Sequence, residues 1–448
     1  MKILKSILLI ITIVSLILIV GCAADEAPGE EVAVHDADFG LRDPASYSAN
    51  LNMWAHTPAQ PNFMIENYNR LFPNVNIELT IIPAAQQQQQ KMTAVMSGTN
   101  VPDIFTARTQ FVRAFVETDM IYADLLSAPF DASDIAGRLE PYIIALGSHE
   151  GALRAISWQC PVGGIFYRKS LAEQFFGVSD PASMEQFFSN YDVLLETARE
   201  IVRQSGGEVR LLPEFTMLQH IMRGSVANGY VVDGRLHIDP MLEEYFRLSR
   251  IFYEEGLCWL TEPGTPPMYA LMESDQTFAY IYPTWGLNFN IMPNHPDQAG
   301  DWGLTQGPNP YAHGGTFMGI YVNTPHPEEA WTFVNFVFSD EFMLTYSLEF
   351  GDFTSNLSAN EYISALPDAQ ALEIPMIQFM GGQNVFQFFS AELERGVNYR
   401  VFTRYDEAFD AFLTSAVRMY ASGQLSWDEA WDQFRQDVRS FAPHLVVD

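Results

Sequence analysis

Lysine is almost missing from this chain: Lys2, Lys5, Lys91 and Lys169 are the whole complement, beside twenty arginines. Positive charge of any kind is scarce, with 24 Lys and Arg against 55 Asp and Glu and a formal charge of −31. A field of that sign repels polyanions, which argues against nucleic acid and anionic lipid headgroups as partners. It leaves neutral ligands open. Cysteine is limited to Cys22, Cys160 and Cys258, so no disulfide framework organises the chain. Cys160 and Cys258 read as two separate buried thiols, although an exported location permits a bond between them. Catalytic signatures are lacking too: there is no G-x-S-x-G, no H-E-x-x-H and no G-x-x-x-x-G-K-[ST]. The nine histidines are scattered, without the paired spacing of a metal site. No cofactor and no metal is expected.

A long hydrophobic run is the last absentee. Ile7 to Val20 is apolar except for Thr12 and Ser15, which falls short of the roughly 20 residues a spanning helix needs. With Lys2 and Lys5 ahead of it, the run has the anatomy of a signal peptide. Ile19-Val20-Gly21-Cys22 resembles the lipobox of bacterial lipoproteins, which implies cleavage after Gly21 and acylation of Cys22. Two acyl chains hold a protein where one lets go, at about 0.8 kcal/mol per buried CH₂. The alternative is an ordinary secretion signal cut nearby. Residues 22–44 then form a polar tether too poor in apolar residues to pack. The expected location is the extracytoplasmic face of the cell membrane.

What remains is rich in core-forming residues, 48% hydrophobic and 13% aromatic, in a chain of 448 residues, too long for one ordinary core. "SANLNMWAH" predicts a first strand. "NFMIENYNRLF" has near-helical apolar spacing, and "PNVNIELTII" alternates as a strand does. Gln86 to Gln90 lead into "KMTAVMSG" as a helix closed by Gly98, and "VPDIF" predicts a third strand. Strand, helix, strand, helix, strand is an α/β signature and predicts a parallel sheet. Helices dominate afterwards: "SMEQFFSNYDVLLETAREIVRQSGG", "DPMLEEYFRLSRIFYEEGL" with Asp239 as its cap, "PEEAWTFVNFVFSDEFMLTYSLEFG", and the acidic C-terminal stretch from Arg404.

Six blocks in order carry a family resemblance: "MWAH" through "LFPNVNIEL", "KMTAVMSGTNVPDIF", "ISWQCPVGGIFYRKSLAEQFFG", "ALMESDQTFAYIYPTWGL", "GGTFMGIYVNTPHPEEAWTFVNFVFSDE" and "YASGQLSWDEAWDQF". Together they resemble the family 1 extracellular solute-binding proteins, the mostly carbohydrate-binding components of ABC importers. Arg168 departs from the pattern, standing where the family usually has Asn. The resemblance implies a two-lobe α/β clamp of the periplasmic-binding-protein kind, monomeric, with three interlobe crossings near Ala128, Thr316 and Phe350. Lobe one is then 45–128 plus 316–350, and lobe two 129–315 plus 351–448. A sugar or oligosaccharide is held in the cleft beyond the strand ends and handed to membrane permease subunits without being altered.

A sugar offers a flat C–H face and a rim of hydroxyls, which call for aromatic rings and for carboxylates, amides or arginine. Trp285, in "YPTWGL", matches the family's stacking tryptophan; the alternative is a core tryptophan. Tyr282 is its expected companion. Glu214 and Phe215 in "LLPEFTM" resemble a segment whose acidic and aromatic pair reaches the sugar. Trp158 stands at a strand end. His56 and Thr57 follow strand one and Arg108 follows strand three, so these three are expected at the cleft edge, with roleless loop residues as the alternative. His313, with Gly314 and Gly315, flanks a crossing. The rivals in function are an anchored glycoside hydrolase or lyase, and a receptor that signals to a membrane histidine kinase.

Overall fold

The computed structural model describes residues 42–83, 86–262 and 265–448. The signal segment, Cys22 and most of the tether lie outside the described residues. Strand β1 (Ala49–Ala55) buries Leu51, Met53 and Ala55 while Asn50 and Asn52 face outward, as period-two alternation requires. Helix α1 (Ala59–Leu71) returns to β2 (Val75–Ile81), which pairs in parallel with β1 from Ala49↔Val75 to Ala55↔Ile81. Helix α2 (Gln87–Ser97) absorbs the glutamine run and ends at Gly98, whose φ of 65° is the left-handed cap foreseen for it. Strand β3 (Ile104–Arg108) joins β1 in parallel, and α3 (Thr109–Val116) starts directly at its carboxyl end.

The sheet is parallel only in that half. After α4 (Pro141–Gly147), a short β4 (Ile156–Ser157) joins the far edge; β8 (Thr316–Ile320) lies between β3 and β4, antiparallel to both. The first sheet therefore runs β2-β1-β3-β8-β4. Ile156–Ser157 is hydrogen-bonded into it well beyond Ala128, where the sequence suggested the first crossing. Apolar contacts add to that placement: the Phe130 ring meets Trp331 at 6.0 Å.

The second lobe is built on a smaller antiparallel sheet in which β5 (Gly163–Arg168) is flanked by β6 (Ala279–Pro283) and β7 (Trp302–Thr305). Around it pack α5 (Tyr191–Ser205), α6 (Leu218–Ser225), α7 (Pro240–Glu254), α10 (Asp406–Ala421) and α11 (Trp427–Phe441). Asp239 caps α7 by accepting from the Met241 amide. Two apolar runs that read as single helices are each broken by a cap. Asn190 accepts from Val193 N and starts α5 afresh. Ser339 accepts from Phe342 N and separates α8 (Pro327–Val337) from α9 (Asp340–Phe350). A side chain that satisfies orphan amides starts a new helix even where apolar spacing continues across it.

Three segments pass between the sheets side by side. Gln159 bridges Thr354 and Val162 bridges Ala312, both antiparallel, and Cys160 N donates to Phe353 O at 3.0 Å. At the second segment the chain turns on Gly314 and Gly315, with φ of 77° and 93°. A Cβ on Gly315 would also lie 2.9 Å from the Pro161 ring, so conformation and space both demand glycine. Cys160 and Cys258 are free and buried.

Candidate functional site

A cavity of about 630 Å³ opens between the lobes, lined from both. Lobe one contributes Arg108, Thr109 and Gln110 from the β3–α3 junction. Lobe two contributes Gln219, His220 and Arg223 from α6, Val397, Asn398, Val401 and Phe402 from the segment before α10, and Asp406, Glu407, Asp410, Thr414 and Arg418 from one face of α10. Tyr311 to Gly314, in the second crossing, form its back. A larger groove of about 1040 Å³ lies on lobe one alone, among Arg42, Asp131, Arg138 and Asp340. It is an open, acid-rich surface that no second lobe closes over, so the cleft cavity is the better candidate.

The cavity's lobe-two wall is a closed polar network. Arg223 reaches Asp410 Oδ1 and Asp406 Oδ2, both at 3.0 Å, and donates to Val401 O at 3.2 Å. Its guanidinium sits 4.5 Å over the Tyr230 ring. Asp410 Oδ1 also accepts from Tyr230 Oη at 2.5 Å and Gln219 Nε2 at 3.0 Å, and Asp406 Oδ1 accepts from Thr403 Oγ1 at 2.6 Å. Burial works against the Arg223 charge, but Asp410, Tyr230 and Asp406 outweigh it and hold the guanidinium protonated. On the lobe-one side the Arg108 backbone is paired in β3, while its side chain makes no hydrogen bond or ion pair to any described residue and remains available to a ligand. The rings of His220 and His313 stack at 3.7 Å with 20° between their planes. Burial lowers the His220 pKa to about 4; burial, then His220, Arg108 and Arg223, lower that of His313 as well. Both imidazoles are neutral at pH 7.

Of the residues singled out by sequence, Arg108 lies on the cavity. His313, in the second crossing, lies on it too, whereas Trp285, Tyr282, Glu214, Phe215, Trp158, His56 and Thr57 are not among the lining residues. Trp285 is half-buried and donates Nε1–H to His313 O at 3.0 Å, so it braces the cavity's back. Tyr282 is buried in β6 and stacks on Tyr280 at 6.0 Å. Glu214 is buried, its pKa raised to about 7 by burial against the pull of Arg418, which lies 3.9 Å away; Phe215 beside it is buried as well. Trp158 is 2% exposed and donates to Tyr346 Oη at 3.1 Å, tying the first crossing to α9. Thr57 donates to Gln60 Oε1 at 2.9 Å. The pKa of His56 falls to about 4 through burial, then Arg108 and Lys91. Lys91 itself is buried against Gln87 Oε1 at 2.8 Å and Thr106 O at 2.5 Å, and burial brings it down to about 7. Sequence reasoning missed His220, Arg223, Asp406 and Asp410. An H-x-x-R or D-x-x-x-D spacing on an amphipathic helix is not distinguishable from a solvated face without knowing what packs on it. Among the described residues no cluster of His, Cys, Asp or Glu has the arrangement to hold a metal ion.

Two sheet-based lobes, three adjacent crossings and one polar cavity between them define a ligand-binding clamp. The family of bacterial extracellular solute-binding proteins matches residues 64–373, and the chain belongs to it. No curated protein matches the sequence. Among solved structures, a family 1 extracellular solute-binding protein superposes with a TM-score of 0.75 at 16% identity, covering 88% of this chain and 99% of that one. An ABC transporter associated binding protein from B. animalis subsp. lactis Bl-04, in complex with β-1,6-galactobiose, gives 0.71 at 14%, covering 90% and 100%. The GacH receptor of Streptomyces glaucescens, solved unliganded and with acarbose, gives 0.69 at 16%, covering 89% and 99%. At such identities the likeness concerns the fold. No helix among the described residues is long and apolar enough to cross a membrane.

Proposed function

We propose that this protein is the extracytoplasmic receptor of an ABC importer, capturing a sugar or oligosaccharide between its lobes and presenting it to membrane permease subunits. The observation that carries the reading is the cleft cavity: both lobes line it, and amides, hydroxyls, carboxylates and arginines converge there within about the volume of a small ligand site. Ligand contacts to both walls favour the closed arrangement over an open one, and closure is what a permease can read. In the same reading, Cys22 carries the lipid anchor, the protein works as a monomer, and lobe one comprises residues 45–157 plus 316–350, with lobe two as the remainder to residue 448. The ligand leaves uncleaved. Hydrolysis would need a free carboxylate pair at the ligand, whereas Asp406 and Asp410 are both engaged by Arg223.

Melting curves against a panel of neutral di- to tetrasaccharides, including acarbose, lacto-N-biose and β-1,6-galactobiose, test this. A binder present at 100 times its Kd adds about 2.7 kcal/mol, a rise of several degrees. A panel without any stabilising member counts against a saccharide ligand, and shortened products after incubation count against a pure binder. Trp285→Ala is expected to weaken a binding sugar by about three- to ten-fold, or roughly 0.7–1.4 kcal/mol, through loss of its bond to His313 rather than loss of a stacking face. Calorimetric titration reads this directly, and unchanged affinity removes Trp285 from the site's support.

A further inference from the structure

We propose that the stacked imidazoles of His220 and His313 are the π platform on which the ligand ring lies, with His220 Nδ1 accepting a hydrogen bond from a ligand hydroxyl. The inference rests on the saccharide reading above and specifies how that site takes its ligand.

The rings the sequence offered for stacking, those of Trp285, Tyr282, Phe215 and Trp158, are absent from the cavity lining, whereas both histidines belong to it. The cavity's other rings are Tyr311 and Phe402. Tyr311 is 1% exposed and donates its hydroxyl to Gly164 O, which makes it part of the wall's core. Phe402 is half-buried on a loop. The imidazole stack is held far more firmly. His220 comes from α6 and His313 from the second crossing, so the pair joins lobe two to the segment about which the lobes move. The backbone at His313 is fixed on three sides: Trp285 Nε1 donates to its carbonyl at 3.0 Å, its own amide donates to Pro161 O at 3.0 Å, and Thr109 Oγ1 from lobe one donates to Gly314 O at 2.5 Å. A ring set this way loses little freedom when a ligand lands on it.

The hydrogen-bonding state points the same way. His220 Nδ1 is buried and has no partner among the described residues. The Ile281 backbone favours a ring N–H beside it; with that proton on Nε2, Nδ1 of the neutral ring is an acceptor. A buried acceptor without a donor is costly until a donor arrives, and a sugar hydroxyl is such a donor. The charged groups around the stack are Arg108 from the β3–α3 junction, Arg223 on α6, and Asp406, Glu407, Asp410 and Arg418 on α10. The two arginines disfavour an imidazolium beside them, and Asp406 and Asp410 are directed at Arg223 rather than at the rings. The platform therefore stays neutral, and the face it offers suits an uncharged C–H surface.

The test uses the whole protein and the panel saccharide that gives the largest rise in melting temperature. His313→Ala is expected to lower affinity by at least about ten-fold at pH 7, as removal of a buried ring contact does at a binding hot spot. His313→Phe, which keeps a ring, is expected to recover most of that loss. His220→Phe keeps the ring but removes the acceptor, and should be weaker than wild type against the hydroxylated sugar yet equal to it against one deoxy analogue. In ¹H–¹⁵N spectra of the imidazoles, His220 Nδ1 should be unprotonated, and the ring signals of both residues should shift on titration. Melting curves of the ligand-free variants separate a folding defect from a binding one. If His313→Ala binds as wild type does, or the imidazole signals of a saturated sample stay in place, the platform is refuted while the receptor reading stands. If the wild-type protein binds no member of the panel, the receptor reading fails first and the platform with it.

Discussion

Arg223→Ala is expected to lower stability by about 3–5 kcal/mol, the range for removing one partner of a buried ion pair. Arg223 is 13% exposed at its side chain and Asp406 only 2%. The alanine variant would leave Asp406 and Asp410 facing each other across the space the guanidinium filled, with the cation over the Tyr230 ring and the bond to Val401 O also gone. Hydroxyl and amide donors from Thr403, Tyr230 and Gln219 remain, but they bring no positive charge. Burial already favours the protonated form of Asp406, with Arg223 opposing it. Without the arginine its pKa rises further, so the variant evades part of the loss by taking up a proton. The deficit should accordingly be smaller at pH 5 than at pH 8. Urea denaturation midpoints at the two values measure both parts of this expectation. A loss below about 1 kcal/mol at pH 8, within the range of an exposed pair, would show that water compensates the carboxylates and that the network is not sealed.

The second large effect has the opposite sign. Asp352→Asn is expected to stabilise the protein at pH 8. Asp352 is fully buried in the third crossing; Oδ2 accepts from Gln159 Nε2 at 2.7 Å and from Tyr346 Oη at 3.1 Å, while Oδ1 has no partner among the described residues. Burial pushes its pKa up to about 6, with those two hydrogen bonds pulling the other way. A folded pKa above the unfolded one means that the native state binds the proton more tightly. The stability this provides is complete below the ordinary carboxyl range and is lost as the pH rises through about 6. Holding the proton to about 6 instead of the ordinary aspartate range corresponds to about 3 kcal/mol. Asparagine has no charge to bury, and the reorientation of its amide takes back part of the gain, leaving about 1–3 kcal/mol at pH 8. At pH 4 the benefit should vanish. Melting temperatures at the two pH values decide the matter, and equal destabilisation at both would show that the carboxylate's hydrogen bonds outweigh its charge. Because Gln159 belongs to the first crossing, the variant also loosens or resets the joint between two of the three interlobe segments.

Much of the fold is legible because it rests on local rules. The alternation in β1 and β2, the left-handed Gly98 after α2, and the Asp239 cap ahead of Pro240 each depend on a few neighbouring residues, and each is found as read. The α/β reading from the first three strands holds for the parallel pairs β1–β2 and β1–β3. It does not extend to β8 and β4, whose antiparallel pairing joins chain segments far apart in sequence. Nor did apolar spacing expose the breaks at Asn190 and Ser339, because a cap residue in mid-run looks like one more polar position. For the site, strand-end logic placed Arg108 at the cleft edge, and Arg108 lines the cavity. Trp285, Tyr282 and Phe215, offered by the family resemblance, and Trp158, offered by its strand end, do not line the cavity, because neither signal says on which side of an element a ring packs.

By itself the sequence determined what local chemistry controls: an exported, strongly acidic α/β protein, the order of its first elements, the caps that begin and end several helices, and its kinship with the solute-binding proteins. Only the tertiary structure decided which side chains face one another across the cleft. His220 and His313 lie 93 positions apart, and Arg223 and Asp406 183 apart. Their meeting depends on how three crossing segments align two independently built sheets. Sequence periodicity reports which face of an element is apolar; it carries no term for what a second lobe brings against the polar one.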